Sequence, residues 1–285
     1  MSKQGDMQQE LALDVNHLFK NFGGLQVLSD VNFKIRGPEL IGLIGPNGAG
    51  KTTLTNILDG ALKPSGGTVY LNGKRIDTLP PYLVARAGLG RTFQVTRAFR
   101  RMTVMENLLV PAMALHATAS RREFEEKARE VLDFLTMSHL TNEYGRALSG
   151  GQQKLLELGR LLMLDPRIVI LDEPFAGVHP RLMEIIYEWI YRVNDEGKAI
   201  ILISHDMETI FTLSKRLLVL NYGDLIADGD PDVVKDDPLV KAAYLGEDEP
   251  APASPAGPES AKFALPTRQP GQDDSADDEE GRVNA

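Results

Sequence analysis

The chain has 285 residues, 42% of them hydrophobic, so it is long and apolar enough to bury the core of one large domain or two smaller lobes. Its net charge is -9, but residues 247–285 contribute seven of those charges through ten acidic and three basic residues. The remainder is nearly neutral, which excludes the broad basic surface of a nucleic-acid-binding protein. The absence of cysteine excludes disulfides and thiolate metal sites.

The sequence shows neither a membrane span nor a secretory signal. No apolar run approaches the roughly 18 residues that cross a bilayer, and residues 1–10 are polar. We therefore expect the chain in the cytosol. Residues 247–285 hold six of the 17 prolines among Ala, Ser and Gly, which predicts a disordered tail. A solubilising role fits that composition better than an interaction role.

Short apolar, β-rich segments alternate with helical ones along residues 26–221. The predicted strands are 26–35, 40–44, 68–71, 168–171, 200–204 and 217–221, and helices are predicted to begin at Lys51, Pro180 and Asp206. Strands followed by helices favour a largely parallel sheet with ligands beyond the carboxyl ends of its strands. The segment 94–164 is mostly helical by pattern, with helices predicted at 103–115, 121–137 and 151–164. This predicts an α/β core with an inserted helical lobe.

A glycine-rich segment follows the apolar strand 40–44 and opens a helix. The residues that we predict to bind a nucleotide there are Gly45, Pro46, Asn47, Gly48, Ala49, Gly50, Lys51, Thr52 and Thr53. The spacing G-x-x-x-x-G-K-T in this context is that of a phosphate-binding loop. The glycines let the backbone approach a polyphosphate, Lys51 reaches the β- and γ-phosphates, and the Thr52 hydroxyl can bind Mg²⁺.

The apolar strand 168–171 ends in two acids, Asp172 and Glu173. Because the carboxyl ends of parallel strands share one edge of a sheet, both carboxylates should lie near the phosphate-binding loop. Asp172 is suited to hold Mg²⁺ directly or through water, and Glu173 to polarise the attacking water as a general base.

A second helix start lies far from the first in sequence. Ser149 is predicted to be the N-cap of the helix 151–164, and Gly150, Gly151 and Gln152 follow it. This helix N-terminus is a second candidate anion site. Two such sites far apart in sequence favour a nucleotide held between two copies of the chain.

The order of these motifs carries a resemblance to a known family. The segment Leu-Ser-Gly-Gly-Gln (148–152), between a phosphate-binding loop and a strand that ends in Asp-Glu, resembles the signature motif of ATP-binding cassette ATPases. The likeness covers about residues 11–246. It implies a P-loop NTPase core with a mostly parallel sheet, an antiparallel β subdomain and an inserted helical subdomain at about 95–165. Residues 1–246 would form one nucleotide-binding domain.

The resemblance also implies roles for residues outside the three motifs. Gln94 would be the Q-loop glutamine that contacts Mg²⁺ or water, His205 would contact the γ-phosphate, and Phe22 would stack on adenine. His179 lies where the family's D-loop usually has Asp or Asn. It either packs across a dimer or is an ordinary surface histidine.

Such ATPases use ATP and Mg²⁺ and work as a pair of the same or homologous subunits on transmembrane permease subunits. The resemblance therefore implies a peripheral subunit at the cytoplasmic face of the inner membrane, with a substrate-binding protein if the system imports. The segment from about Gln94 to Asn107, including Arg97, Arg100 and Arg101, would contact the permease.

Within the family, segments 90–94, 99–107, 205–207 and 243–246 are similar to those of branched-chain amino-acid importer ATPases. Segments 172–178 and 244–248 are also similar to those of lipopolysaccharide-export ATPases. Urea import and a non-transport ATPase of the same family are further alternatives. The last is disfavoured, since such proteins typically carry tandem cassettes or long coiled-coil insertions.

Overall fold

The computed structural model describes residues 11–93, 98–115 and 120–245. All of them belong to the first of two compact units of the chain, residues 1–248. The predicted tail, Gln94 and Arg97 lie outside the described residues. No helix in the described ranges is both long enough and apolar enough to cross a bilayer.

The described part of the chain contains ten strands and nine α-helices. The strands are β1 (Leu11–Phe22), β2 (Leu25–Arg36), β3 (Leu40–Ile44), β4 (Gly66–Leu71), β5 (Lys74–Arg75), β6 (Leu89–Arg91), β7 (Ile168–Asp172), β8 (Ala199–Ile203), β9 (Arg216–Asn221) and β10 (Asp224–Gly229). The helices are α1 (Lys51–Leu58), α2 (Pro81–Ala87), α3 (Val104–Leu115), α4 (Arg121–Phe134), α5 (Gly150–Leu164), α6 (Pro180–Asp195), α7 (Met207–Leu213), α8 (Pro231–Val234) and α9 (Pro238–Leu245).

The larger sheet has six strands in the order β10-β9-β3-β8-β7-β6. Its neighbours pair in parallel except β9 and β10, which are antiparallel. Every residue of β3 and β8 is buried. Alternate residues of β7 enter different cores, Ile168 and Ile170 on one face and Val169 and Leu171 on the other. Burial on both faces explains the continuous apolar runs from which these strands were predicted.

The smaller sheet is antiparallel, with the order β2-β1-β4-β5. Its strand β1 was not among the strands that the apolar pattern predicts. The buried side chains of β1 are Leu13, Val15 and Leu18, and the pairing register with β2 shifts between Val15 and Leu18. His17 has a φ of 47° at this irregularity. The extra residue breaks the two-residue alternation that identifies a strand, so the pattern was obscured.

Helices α3, α4 and α5 pack against one another, as predicted for the segment 94–164. α4 ends at Phe134 although its pattern predicted a helix to 137, because Thr136 has a left-handed φ of 56°. The predicted N-cap of α5, Ser149, is confirmed. Asp206 is likewise an N-cap, and α7 begins one residue later at Met207.

Candidate functional site

The glycine-rich loop connects β3 to α1 and is confined from two sides. A Cβ atom on Gly45, which has a φ of 147°, would lie 2.0 Å from the carbonyl oxygen of Leu220. On Gly50, with a φ of 105°, it would lie 2.9 Å from the carbonyl oxygen of Val27. Only glycine fits at these two positions. Packing against β9 and β2 therefore holds the loop in its conformation. The first N–H groups of α1 have no side-chain cap there.

A cleft of about 360 Å³ lies at the carboxyl ends of the central strands. Its lining comprises Val27, Asn47, Gly48, Ala49, Gly50, Lys51, Thr52, Thr53, Asp172, Glu173 and Ile203. The cleft therefore brings together the glycine-rich loop and the two acids that follow β7. Gly45 and Pro46 are not in the lining, but their carbonyl oxygens accept hydrogen bonds from the Lys51 ammonium, the second at 2.9 Å.

Glu173 follows β7 in an uncommon backbone conformation, with a φ of 50°. Its N–H donates to the carbonyl oxygen of Ile203 over 2.9 Å. Its Oε2 accepts a hydrogen bond of 3.4 Å from the Ser204 hydroxyl and lies 3.0 Å from Nδ1 of His205. The Glu173 side chain is 15% exposed and that of His205 is 81% exposed. The structure thus pairs two residues whose roles were predicted separately from the sequence.

Asp172, the last residue of β7, is held by residues that were not predicted to belong to the site. Its Oδ2 lies 3.0 Å from Nη2 of Arg91, and its N–H donates to the Thr92 hydroxyl over 3.0 Å. Ser204 is a further residue that was not predicted. Polar side chains at the ends of β6 and β8 were the available signal, because the carboxyl ends of neighbouring parallel strands meet.

The start of α5 forms a separate feature outside the cleft. The Ser149 hydroxyl accepts from the N–H of Gln152 over 3.4 Å, and the N–H of Ser149 donates to Oε1 of Gln152 over 2.9 Å. Each residue thereby satisfies a backbone N–H of the other, which is a capping box. Gly150 and Gly151, which lie between Ser149 and Gln152, occupy the first two helical positions.

Phe22, a predicted site residue, and His179, the residue at the D-loop position, lie outside the cleft lining. Phe22 ends β1, is 49% exposed and has the Lys20 ammonium 4.8 Å from its ring centroid. It belongs to the same hairpin as Val27, which does line the cleft. His179 is the N-cap of α6, where its Nδ1 accepts from the N–H of Arg181 over 3.3 Å. Gln94 lies outside the described residues.

A buried lysine introduces a positive charge near the acids of the cleft. Lys154, on the second turn of α5, is 5% exposed, and its Nζ has no hydrogen-bond partner within the described residues. Burial lowers the pKa of this ammonium below its usual value, and the charges of Glu157, Asp172 and Glu173 oppose that shift. Through Lys154, helix α5 therefore interacts electrostatically with the two acids of the cleft.

A second, mostly apolar groove of about 700 Å³ lies where α1 ends and where α2, β6, α3 and α5 meet. Phe93, Phe99, Pro111 and Leu161 contribute to its lining. Phe99 is 41% exposed and has the Arg160 guanidinium 4.7 Å from its ring centroid. Phe99 belongs to the segment that is predicted to contact the permease.

Comparisons with known proteins agree with this geometry. Residues 28–176 match the family described as ABC transporter, and residues 225–250 match the family described as branched-chain amino acid ATP-binding cassette transporter. The high-affinity branched-chain amino acid transport ATP-binding protein BraF of Pseudomonas aeruginosa is 39% identical over 250 residues, which cover 82% of this chain and 98% of BraF. LivG of Escherichia coli, of the same description, is 39% identical over 255 residues, which cover 85% of this chain and 100% of LivG.

LptB of Haemophilus influenzae, a lipopolysaccharide export system ATP-binding protein, is 34% identical over 235 residues, covering 82% of this chain and 97% of LptB. Among solved structures, the ADP conformation of MJ1267, an ATP-binding cassette of an ABC transporter, has a TM-score of 0.73 at 34% identity and covers 83% of this chain and 99% of that one. Dimeric MJ0796, a bacterial ABC transporter cassette, has a TM-score of 0.70 at 25% identity, and the match covers 77% of this chain and 98% of that one.

These matches extend over most of the chain, and the observed sheets and helices confirm the predicted P-loop fold. The chain therefore belongs to the ATP-binding cassette transporter family and is one of its ATP-hydrolysing subunits.

Proposed function

We propose that the cleft binds ATP with Mg²⁺ and that the loop before α1 holds its phosphates. The observation that carries this proposal is the convergence of Lys51, Thr52, Asp172 and Glu173 on one cleft. The N–H groups at the start of a helix and a lysine ammonium attract phosphate oxygens. The Thr52 hydroxyl and the Asp172 carboxylate are oxygen ligands of the kind that Mg²⁺ prefers. Bound Mg²⁺ would neutralise charge on the phosphates.

Within this proposal Glu173 is the general base. His205 and Ser204 contact only its Oε2, and no described group bonds its Oε1. A carboxylate anchored through one oxygen can present the other to a water molecule and take its proton. His205, mostly exposed beside Glu173, orients this carboxylate and is placed to contact the terminal phosphate. Gln94 is assigned to Mg²⁺ or water by the resemblance alone.

The start of α5 completes the site from a second copy or a homologous subunit. Ser149, Gly150, Gly151 and Gln152 do not line the cleft of their own chain within the described residues, yet they form a helix N-terminus suited to phosphate. MJ0796, a relative of the same fold, is dimeric. In a head-to-tail dimer, the start of α5 in one copy would close on the nucleotide in the other, and Phe22 would contact the adenine.

The groove between α2, α3 and α5 is the proposed contact for a transmembrane permease. It is mostly apolar, and its lining side chain Phe99 is partly exposed. Arg100 and Arg101 follow directly and are exposed. The match of residues 225–250 and the names of BraF and LivG favour import of branched-chain amino acids with a substrate-binding protein. LptB makes lipopolysaccharide export the alternative.

Glu173→Gln tests the chemical part of this proposal. Removing the base should slow ATP hydrolysis about 100-fold to 10,000-fold, while the affinity for ATP with Mg²⁺ changes little because the loop is intact. The rate is measured by steady-state hydrolysis, and the affinity by equilibrium binding of a fluorescent ATP analogue. Glu184→Gln, on the exposed surface of α6, makes the same change of charge elsewhere. Near-normal turnover by Glu173→Gln would overturn the assignment of the base.

The same two variants test the cargo in cells that express the chain with its permease subunits. Uptake of labelled leucine, isoleucine and valine should require the chain, survive Glu184→Gln and stop with Glu173→Gln. Uptake that is equal with and without the chain would contradict amino-acid import and leave the ATPase assignment intact.

A further inference from the structure

A buried arginine connects three parts of the nucleotide-binding core. Arg91, on β6, has a side chain that is 5% exposed. Its Nη1 donates to Oδ1 of Asn56 and to Oδ2 of Asp59, each at 2.7 Å, and its Nη2 donates to Oδ2 of Asp172 at 3.0 Å. One guanidinium therefore contacts the end of α1 and the carboxylate at the end of β7.

The acids determine the orientation of this guanidinium. Its Nε is buried and has no partner within the described part of the chain, although an unpaired buried N–H is costly. Asp59 and Asp172 are themselves largely buried, with side chains 11% and 15% exposed. Burial of two carboxylates is tolerated only where a cation and hydrogen bonds compensate them. Arg91 supplies both, and its planar fork reaches partners in different directions at once.

The contacts of Arg91 leave the other oxygen of Asp172 available to the cleft. Oδ2 of Asp172 is held by Arg91, whereas Oδ1 has no hydrogen bond from the described residues. Asp172 lines the cleft together with Thr52. Thr52 lies on the first turn of α1, and Arg91 also holds Asn56 of this helix and its C-cap, Asp59. The guanidinium of Arg91 therefore binds one proposed magnesium ligand, Asp172, directly and holds the helix that carries the other, Thr52.

We propose that Arg91 is a positioning residue for magnesium, holding the carboxylate of Asp172 and helix α1, with its Thr52, at a fixed separation. This inference rests on the proposed function, since it assumes that Thr52 and Asp172 bind Mg²⁺ with the nucleotide. Arg91 does not line that cleft and acts through its partners. Residues that orient metal ligands typically change metal affinity by about 10-fold to 100-fold when they are removed.

The test measures nucleotide binding with and without the metal, using the full chain and a fluorescent ATP analogue. Arg91→Met should leave the affinity in excess EDTA within about twofold of the wild type. The Mg²⁺ concentration that gives half of the metal-dependent binding should rise about tenfold or more. Arg91→Lys keeps the charge but not the fork, so its Mg²⁺ requirement should lie between the wild type and Arg91→Met.

Arg216→Met is the matched control. Arg216 is also partly buried between two acids, with Glu39 at 2.7 Å and Asp228 at 2.6 Å. It begins β9 at the opposite end of the sheet, where Ile41 of β3 is its partner. Its loss should lower thermal stability without changing the Mg²⁺ requirement. This variant therefore separates a general loss of stability from an effect on the metal.

The possible results can be distinguished. If Arg91→Met and Arg91→Lys keep the wild-type Mg²⁺ requirement, Arg91 has only a structural role and the inference is wrong. Should Arg91→Met fail to fold, the more conservative Arg91→Lys decides the question by the same measurement. If wild-type binding does not depend on Mg²⁺ at all, the proposed magnesium site itself fails, before Arg91 is considered.

Discussion

Helices α1 and α5 both begin with glycine-containing segments, but their first turns are organised in opposite ways. The N-cap of α1 is Gly50, which offers no side-chain cap and has a left-handed φ of 105°. The N-cap of α5 is Ser149, which forms a capping box with Gln152. The backbone around α1 is shaped by packing against Val27 and Leu220. The start of α5 is shaped by its own side chains.

This difference indicates a division of labour between the two helix starts. At α1, the absence of a side-chain cap leaves the first N–H groups for a ligand. At α5, the capping box satisfies the third helical N–H and leaves those of Gly150 and Gly151 at the tip. We therefore expect α1 to supply most of the nucleotide affinity and α5 to act when a second copy closes.

The largest effect is expected from adding a methyl group at the start of α1. In Gly50→Ala the Cβ atom would meet Leu28 and the Val27 carbonyl at 2.8 and 2.9 Å, on a left-handed backbone. We expect a loss of about 3 kcal/mol in the free energy of unfolding and loss of ATP binding, as measured by urea unfolding and by the fluorescent ATP analogue.

Gly73→Ala is the control for Gly50→Ala. Gly73 has a φ of 73° in the turn between β4 and β5, and a Cβ atom there would meet nothing within 4 Å. Gly73→Ala should lower the free energy of unfolding by about 1–2 kcal/mol, because it strains only the left-handed backbone. ATP binding should be unchanged. If Gly50→Ala and Gly73→Ala lost equal stability and equal ATP binding, packing against Val27 and Leu28 would not determine the conformation of the loop.

An intermediate effect is expected at the start of α5. Ser149→Ala removes a cap and should lower the free energy of unfolding by about 1 kcal/mol. It should leave ATP binding by the single chain intact but slow hydrolysis about 100-fold, the usual effect of removing one stabilising donor.

Ser120→Ala is the matched control, because Ser120 and Glu123 form the same capping box at the start of α4. It should cost similar stability without slowing hydrolysis. If Ser149→Ala hydrolyses ATP as fast as Ser120→Ala does, the serine of α5 is a cap alone, and the proposed division of labour fails.

The smallest effect concerns the lysines of the two helices. Lys51 of α1 donates to loop carbonyls, whereas Lys154 of α5 is buried, and burial lowers its pKa. The charge of Lys154 therefore lowers the stability of the folded state at neutral pH. Between the lowered pKa and the unfolded value of about 10.4, the unfolded chain binds more protons, so stability rises with pH. Lys154→Met should be more stable than the wild type at pH 7, by a margin that narrows as the pH rises through the lowered pKa towards the unfolded value.

Lys198→Met is the control of opposite sign. Burial alone would lower the pKa of Lys198, but hydrogen bonds with Asp165 and Glu196 outweigh it and raise the pKa. The stability that these bonds contribute is fully present below the unfolded pKa and is lost only as the pH rises through the folded pKa. Lys198→Met should therefore be destabilised equally at pH 7 and pH 9.5 in urea unfolding. A margin for Lys154→Met that stays constant from pH 7 up to the unfolded pKa would contradict a lowered pKa for Lys154.

Much of the core could be predicted because its strands are buried on both faces. The bounds of β3 were predicted to the residue, and those of β7, β8 and β9 to within one residue. Strand β1 was not predicted, because the irregularity at His17 breaks its alternation. Short elements such as β5, β6 and α2 are too brief for a periodic pattern to identify.

The candidate site was predicted in the same uneven way. The glycine-rich loop, Asp172 and Glu173 were assigned from local spacing, and they line one cleft. The contacts of Arg91 with Asn56, Asp59 and Asp172 span sequence separations of 32 to 81 residues. No local pattern encodes such contacts, so the partners of Asp172 could not be inferred from the motif that contains it.

By itself, the sequence determined which backbone segments can take the required shapes. Glycines at 45 and 50 permit a loop that no other residue fits, and Ser149 with Gln152 encodes a helix start in four residues. Only the tertiary structure decided which side chains meet. The parallel order of β3, β8, β7 and β6 brings Glu173 to His205 and Asp172 to Arg91. The physical reason is that φ preferences and caps act over a few residues, whereas strand order joins residues that are remote in the chain.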